Sequence, residues 1–327
     1  MSYTIRAMFP AICLALILPC SQIAMAADTA PAKDAAPAET AAERAALPSR
    51  SQEDTLALER TVPKAEQQQL QAGDERFLAL WKPANVDEPT GAVVIVPGAD
   101  ESADWPNAVG PLRRKLPDVG WSSLSLSMPD AYDDGVFARA ADAPSTDDKK
   151  GSDKDKTKDA QAKAPDPAAS AEADAAAAAE QAAAQAERAE AHAEKIFARI
   201  DSAVAFAQQN KARSIVLLGH GTGAYWAARY MSERPSPAVQ KLVMVTAVDT
   251  GTDTPLLLEV LPTLKVATAD FVNKDRPVPR QQAQDRLDAS KRVKNARFTQ
   301  VTLNGTGNSA MEQDQLFRRV RGWLEAQ

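Results

Sequence analysis

The feature that most constrains this chain is a set of short, unbroken apolar runs. The purest is Ile215-Val216-Leu217-Leu218, which leads straight into Gly219-His220-Gly221-Thr222-Gly223-Ala224. Such runs are too short for a core helix and lack the polar alternation of a strand with one wet face. They fit strands buried on both sides. Ala92–Val96 and Leu242–Thr246 are of the same kind. Further strands are predicted at Phe77–Trp81, Ser122–Met128, Leu264–Ala267 and Phe298–Leu303. Helices are predicted at Asn107–Leu116, Ala224–Met231, Gln281–Val293 and Asp314–Leu324, with a short helical piece at Leu256–Val260. Strands alternating with helices predict an α/β fold whose mostly parallel sheet carries helices on both faces. No fixed-period repeat interrupts this order.

Two stretches cannot belong to that core. Residues 1–26 read as a signal peptide, with Arg6 as n-region, an apolar Met8 to Leu18, and a small-x-small cleavage site at Ala24-Met25-Ala26. The apolar run is too short to anchor in a bilayer. Cleavage there would start the mature chain at Ala27 and leave it without a transmembrane segment. It would remove Arg6, making the formal net charge of −6 one unit more negative. It would also remove Cys13 and Cys20, the only cysteines, so the mature chain would hold no thiol nucleophile or thiolate metal site. A lipidated Cys20 is the rival reading, weakened by the bulky Leu18-Pro19 before it. Residues 27–50 are rich in Ala, Pro, Glu and Lys and predict a disordered linker.

The predicted domain, 51–327, is interrupted by a low-complexity insertion at 138–190. Its first part alternates charge, as in Asp147-Asp148-Lys149-Lys150, among Pro144, Pro165 and Pro167, and predicts a disordered, solvated segment. Residues 171–193 then hold 14 alanines, a strong helix former without an apolar face. Only where Ile196, Ile200 and Val204 recur every fourth residue does a packing stripe begin. One long helix is predicted, its last third packed on the domain and its first part in solvent.

The glycine-rich turn after Ile215–Leu218 has two physical readings. A G-x-S-x-G elbow places a nucleophile on a tight strand-to-helix turn. Here the frame is intact but the central residue is Gly221, which accepts a strained backbone and offers nothing to attack with. Alternatively G-x-G-x-x-A could cradle a dinucleotide, with Asp249 as ribose ligand. That motif is weak alone, and it lies past mid-chain where such fingerprints usually open the fold. No cofactor is predicted.

The succession Gly91-Ala92-Val93-Val94-Ile95-Val96-Pro97-Gly98, Asp104-Trp105-Pro106, Leu112-Arg113-Arg114, Gly120-Trp121-Ser122, Leu124-Ser125-Leu126 and Gly219 to Trp226 resembles an uncharacterised exported α/β-hydrolase-like family of Gram-negative bacteria. The resemblance runs from about residue 50 to the C-terminus, outside the charged insertion. It implies the fold and no activity. By the hydrolase pattern, Ala99 and Thr222 match the donors of oxyanion-type amides, Gly221 a degenerate nucleophile position, Asp270 the triad acid and Asn308 a degenerate base position. Asparagine cannot take up a proton at neutral pH.

The chain has two histidines. His192 lies in the alanine-rich helix and is predicted to be solvent-exposed. His220 precedes the elbow residue and serves either packing or chemistry. No standard Ser-His-Asp or Cys-His triad and no histidine-rich zinc site can be assembled. Asp100, Asp130, Asp249 and Asp270 are each predicted just past a strand's C-terminal end, the edge where open α/β sheets bind ligands. They could hold a hard cation or supply a base with His220, or simply cap helices and turns. No metal site is predicted, and the negative charge gives no support to nucleic-acid binding. The leading expectation is a non-catalytic periplasmic protein binding a ligand or a protein partner. The alternative is a hydrolase with a divergent site using His220 and an aspartate. An open crevice with converging polar groups would favour chemistry. A crevice filled by Tyr225 and Trp226 would favour binding or a structural role.

Overall fold

The computed structural model describes residues 48–130, 167–250, 255–305 and 308–326, with side chains of the long helix described from 178 onward. The signal peptide, Cys20, nearly all of the 27–50 linker and the charged part of the insertion lie outside the described residues.

Eight strands form one sheet: β1 (Gln67–Ala72), β2 (Glu75–Lys82), β3 (Gly91–Val96), β4 (Trp121–Leu126), β5 (Ile215–His220), β6 (Val239–Val245), β7 (Ala267–Asn273) and β8 (Phe298–Leu303), in spatial order β1-β2-β4-β3-β5-β6-β7-β8. The pairs β1–β2 and β2–β4 are antiparallel and the rest are parallel, as the central apolar runs require. From β3 the chain goes to one side for β4 and to the other for β5. That reversal opens a crevice at the C-terminal ends of β3 and β5.

Successive residues of the central strands serve opposite faces. Val94, Leu217 and Met244 pack with Phe197, Ile200, Tyr225 and Trp226 of α3 (Pro167–Gln209) and α4 (Thr222–Glu233). Ile95, Leu218 and Val243 pack with Leu112 and Leu116, and with Val320 and Leu324 of α7 (Ala310–Ala326). Two complete faces therefore bury the sheet from both sides. The stripe predicted in α3 is real: Ile196, Ile200 and Val204 are buried, whereas most of residues 178–192 are exposed. His192 departs from its expected exposure. It is half-buried, its ring edge-on to Trp226 at 5.6 Å between centroids. Among the described residues, no helix is long and apolar enough to cross a membrane.

Two elements had no sequence expectation, and one strand is displaced. Helix α1 (Arg50–Thr61) starts with a reciprocal cap in which Ser49 and Gln52 satisfy each other's amides, but it buries little beyond Leu58. Strand β1 is Gln67-Gln68-Gln69-Leu70-Gln71-Ala72, an edge strand held by backbone pairing to β2. Strand β7 begins at Ala267, where the strand predicted at Leu264–Ala267 was to end, so Asp270 stands inside it.

Candidate active site

The turn from β5 into α4 has the geometry of a nucleophile elbow. Gly221 adopts φ 58° and ψ −124°, a conformation that carries strain for any residue with a Cβ. Gly223 is required for a different reason: a Cβ there would lie 2.2 Å from the Val96 carbonyl oxygen where α4 crosses β3. At Gly221 the space is open, and the nearest atom to a notional Cβ is Glu101 Oε1 at 4.0 Å. The frame keeps the room for a nucleophile and lacks the nucleophile.

The turn after β3 is closed on itself. The Gly98 N–H donates to Glu101 Oε2 at 2.8 Å, and the Glu101 N–H donates back to the Gly98 carbonyl at 3.1 Å. The Ala99 N–H, expected as an oxyanion donor, instead donates to Thr222 Oγ1 at 2.8 Å. A substrate carbonyl would have to displace that hydroxyl to reach it.

Glu101 also holds His220. Nδ1 of His220 lies 2.6 Å and 2.8 Å from the two carboxylate oxygens, with both side chains largely buried, 11% and 13% exposed. A carboxylate accepts only, so Nδ1 carries a proton, and in the neutral ring Nε2 is the acceptor. Sequence reasoning found His220 and missed Glu101, favouring Asp100 beside it. The usable signal was spacing: Glu101 stands three residues after Gly98, where a side chain can turn back onto the loop amide.

Both residues line a cavity of about 190 Å³ at the C-terminal ends of β5 to β8. Trp105, Asn107, Thr246, Asn273, Arg276, Asn308 and Glu312 are among its other walls. Tyr225 and Trp226 are buried beneath the opposite face and do not fill it. Two wall residues sit in strained backbone. Thr246 has φ 49°. Ala108, at φ 62° and ψ −63°, forms a tight γ-turn closed by Val109 N–H to the Asn107 carbonyl at 2.8 Å. Its own N–H donates to Gln313 Oε1 of α7 at 2.8 Å, which holds the turn in place.

The four aspartates do other work. Asp270 is a correction: it lies within β7, fully buried, and forms a two-pronged pair with Arg286 at 3.0–3.2 Å plus a 3.2 Å bond from Gln300. Burial pushes its carboxyl up from the ordinary value, and the Arg286 charge works against that. It does not line the cavity. Asp100 is exposed, facing Arg50 at 3.4 Å. Asp130 accepts the Ser51 N–H at the start of α1, at 3.1 Å. Partial burial raises its carboxyl, and the Ser51 and Ser49 hydrogen bonds outweigh that and hold it below the ordinary value. Asp249 accepts the Leu257 N–H at 2.8 Å, opening the short α5 (Leu257–Val260). Two carboxylates reach the β8–α7 loop: Asp275 accepts the Gly305 N–H at 2.9 Å, and Glu312 accepts the Asn308 N–H at 2.9 Å. Asn308, in that loop, shares the cavity with His220. Among the described residues, no three His, Cys, Asp or Glu side chains gather closely enough to hold a metal ion.

Comparison with known proteins agrees with this architecture. A family model described as "Protein of unknown function (DUF3530)" matches residues 9–326. No curated protein matches the chain. Among solved structures, a dienelactone hydrolase from Anabaena variabilis is similar with a TM-score of 0.53 at 13% identity, over 80% of this chain and 98% of that one. An esterase from Pyrococcus furiosus is similar with a TM-score of 0.51 at 12% identity, over 80% and 89%. At such identities the likeness shows the α/β-hydrolase-like fold alone.

Proposed function

We propose that this chain, which belongs to the DUF3530 family, binds a small ligand in the crevice at the ends of β5 to β8 and does not form acyl-enzyme intermediates. One observation carries the reading. The elbow presents Gly221 in nucleophile geometry without a side chain, and the neighbouring amide of Ala99 is already satisfied by Thr222. The attacking atom is missing from the acyl-transfer apparatus, and one of its two expected oxyanion amides is already taken. What remains is a polar cavity with an oriented imidazole.

The test is a screen of the purified protein against ester, lipid and peptide substrates. No turnover above buffer is expected. Ester hydrolysis abolished by His220→Ala would overturn the reading. It would favour the second one, in which His220 activates water directly. The 2.6 Å contact with Glu101 speaks for that alternative, because a carboxylate-held imidazole is a competent base. The partner in that case is Glu101, not an aspartate.

The site of action is proposed to be the periplasm. The n-region, apolar stretch and Ala24-Met25-Ala26 support it. Mass spectrometry of the protein from a cell envelope fraction is expected to show Ala27 as the first residue. A lipid on Cys20 would move the protein to a membrane surface.

A further inference from the structure

The cavity wall holds two carboxylates, and both are occupied. Glu101 is held by the Gly98 amide and His220, and Glu312 accepts the Asn308 and Ser309 amides at 2.9 Å each. Four wall groups have no hydrogen-bond or ion-pair partner among the described residues: the half-buried Asn107 amide and the buried His220 Nε2, and, at the exposed rim, the Asn308 amide and the Arg276 guanidinium, which meet solvent. Their chemistry is complementary. Arg276 only donates, Nε2 only accepts, and each amide does both. A ligand that satisfies all four must donate and accept from several points at once.

Charge narrows the class. An anion would meet Arg276 but also the two carboxylates in the same wall. A cation would meet Arg276 as its one uncommitted charge. An apolar guest would strip water from four groups and return nothing. A neutral molecule bearing several hydroxyls avoids all three penalties, because each hydroxyl both donates and accepts. Trp105, half-buried in the wall, offers an apolar surface for the C–H face of a ring. The volume of about 190 Å³ has room for a single sugar ring and is well below that of a drug-sized pocket.

We propose that the crevice takes a neutral polyhydroxylated molecule of monosaccharide size, held by Asn107, Asn308, Arg276 and the acceptor nitrogen of His220. The proposal rests on the reading of this crevice as a ligand site. The test follows the indole N–H resonance of Trp105, assigned with Trp105→Phe, in the purified protein. The probes are D-glucose, D-galactose and myo-inositol at millimolar concentration, against succinate, putrescine and toluene. The polyols are expected to shift Trp105 and the others not to. Asn308→Leu is expected to weaken polyol binding at least tenfold at unchanged melting temperature. Arg276→Met is expected to do the same and serves should the first variant misfold. Shifts from succinate or putrescine with silent polyols would overturn the ligand class and leave the ligand site standing. Silence from every probe, or polyol affinity indifferent to both substitutions, would remove the class and the site together.

Discussion

Two carboxylate-centred pairs can be set side by side, Asp270 with Arg286 and Glu101 with His220. Asp270 and Arg286 are sealed, 0% and 1% exposed. Glu101 and His220 open onto a cavity. The first pair consumes its own chemistry: guanidinium and carboxylate satisfy each other, and Gln300 takes part of what is left. The second leaves Nε2 unspent. A paired side chain becomes a candidate site when it keeps a free atom facing a space that a ligand can enter. Position along a strand or in a family pattern is a weaker guide.

The comparison breaks most sharply at Asp270. Asp270→Ala strands Arg286 in the core and is expected to cost about 3–5 kcal/mol, read as a fall in the urea midpoint. A loss below 1 kcal/mol would mean that Arg286 finds other partners and the pair is no keystone. Glu101→Gln is expected to cost about 1.5 kcal/mol, the scale of one hydrogen bond to a charged group. It should also release the imidazole, visible as a changed His220 tautomer in nitrogen NMR. An unchanged tautomer would show that Glu101 does not orient the ring.

Gly221→Ser is expected to cost about 1 kcal/mol from backbone strain alone, because the Cβ meets open space. It should hydrolyse no ester by itself. Combined with Asn308→His it is expected to give weak turnover of p-nitrophenyl acetate, with Glu312, which already accepts the Asn308 N–H, beside the new base. Turnover by the single serine variant would mean that His220 reaches the elbow after all. The smallest effect is expected at Glu66. Burial raises its carboxyl, but hydrogen bonds from Arg113 and Lys82 hold it below the ordinary value of 4.5. The folded state therefore favours the ionised form. Its contribution is present above pH 4.5 and fades as pH falls below it. Glu66→Gln is expected to flatten that acid limb of a melting-temperature profile, with a loss of about 1 kcal/mol or less at neutral pH. An acid limb as steep as in the parent protein would place the pH dependence elsewhere.

What was legible in the sequence follows from how each part earns its place. The central strands announce themselves because burial on both faces leaves only apolar residues, as in Ile215–Leu218. β1 was illegible because an edge strand draws on backbone pairing, and only Leu70 and Ala72 of its residues are buried in the core, too few to make an apolar run. β7 was set early because Thr268, Asp270 and Asn273 are buried polar residues, satisfied by partners that no local pattern reveals. The displaced strand then misplaced Asp270. Of the candidate site, the elbow turn at Gly221 and the shared cavity position of His220 and Asn308 could be placed from motif spacing. The site was illegible at Glu101 and Arg276, whose roles depend on which loops the fold brings together.

Gln313 reaches Ala108 across 205 residues of sequence and fixes the γ-turn in the cavity wall. The near wall is thus latched by α7, the same helix whose Leu316, Val320 and Leu324 cover one face of the sheet. Removing α7 would uncover the core around Val320 and Trp323 and release the Ala108 turn at once, so the shape of the site is tied to the stability of that sheet face.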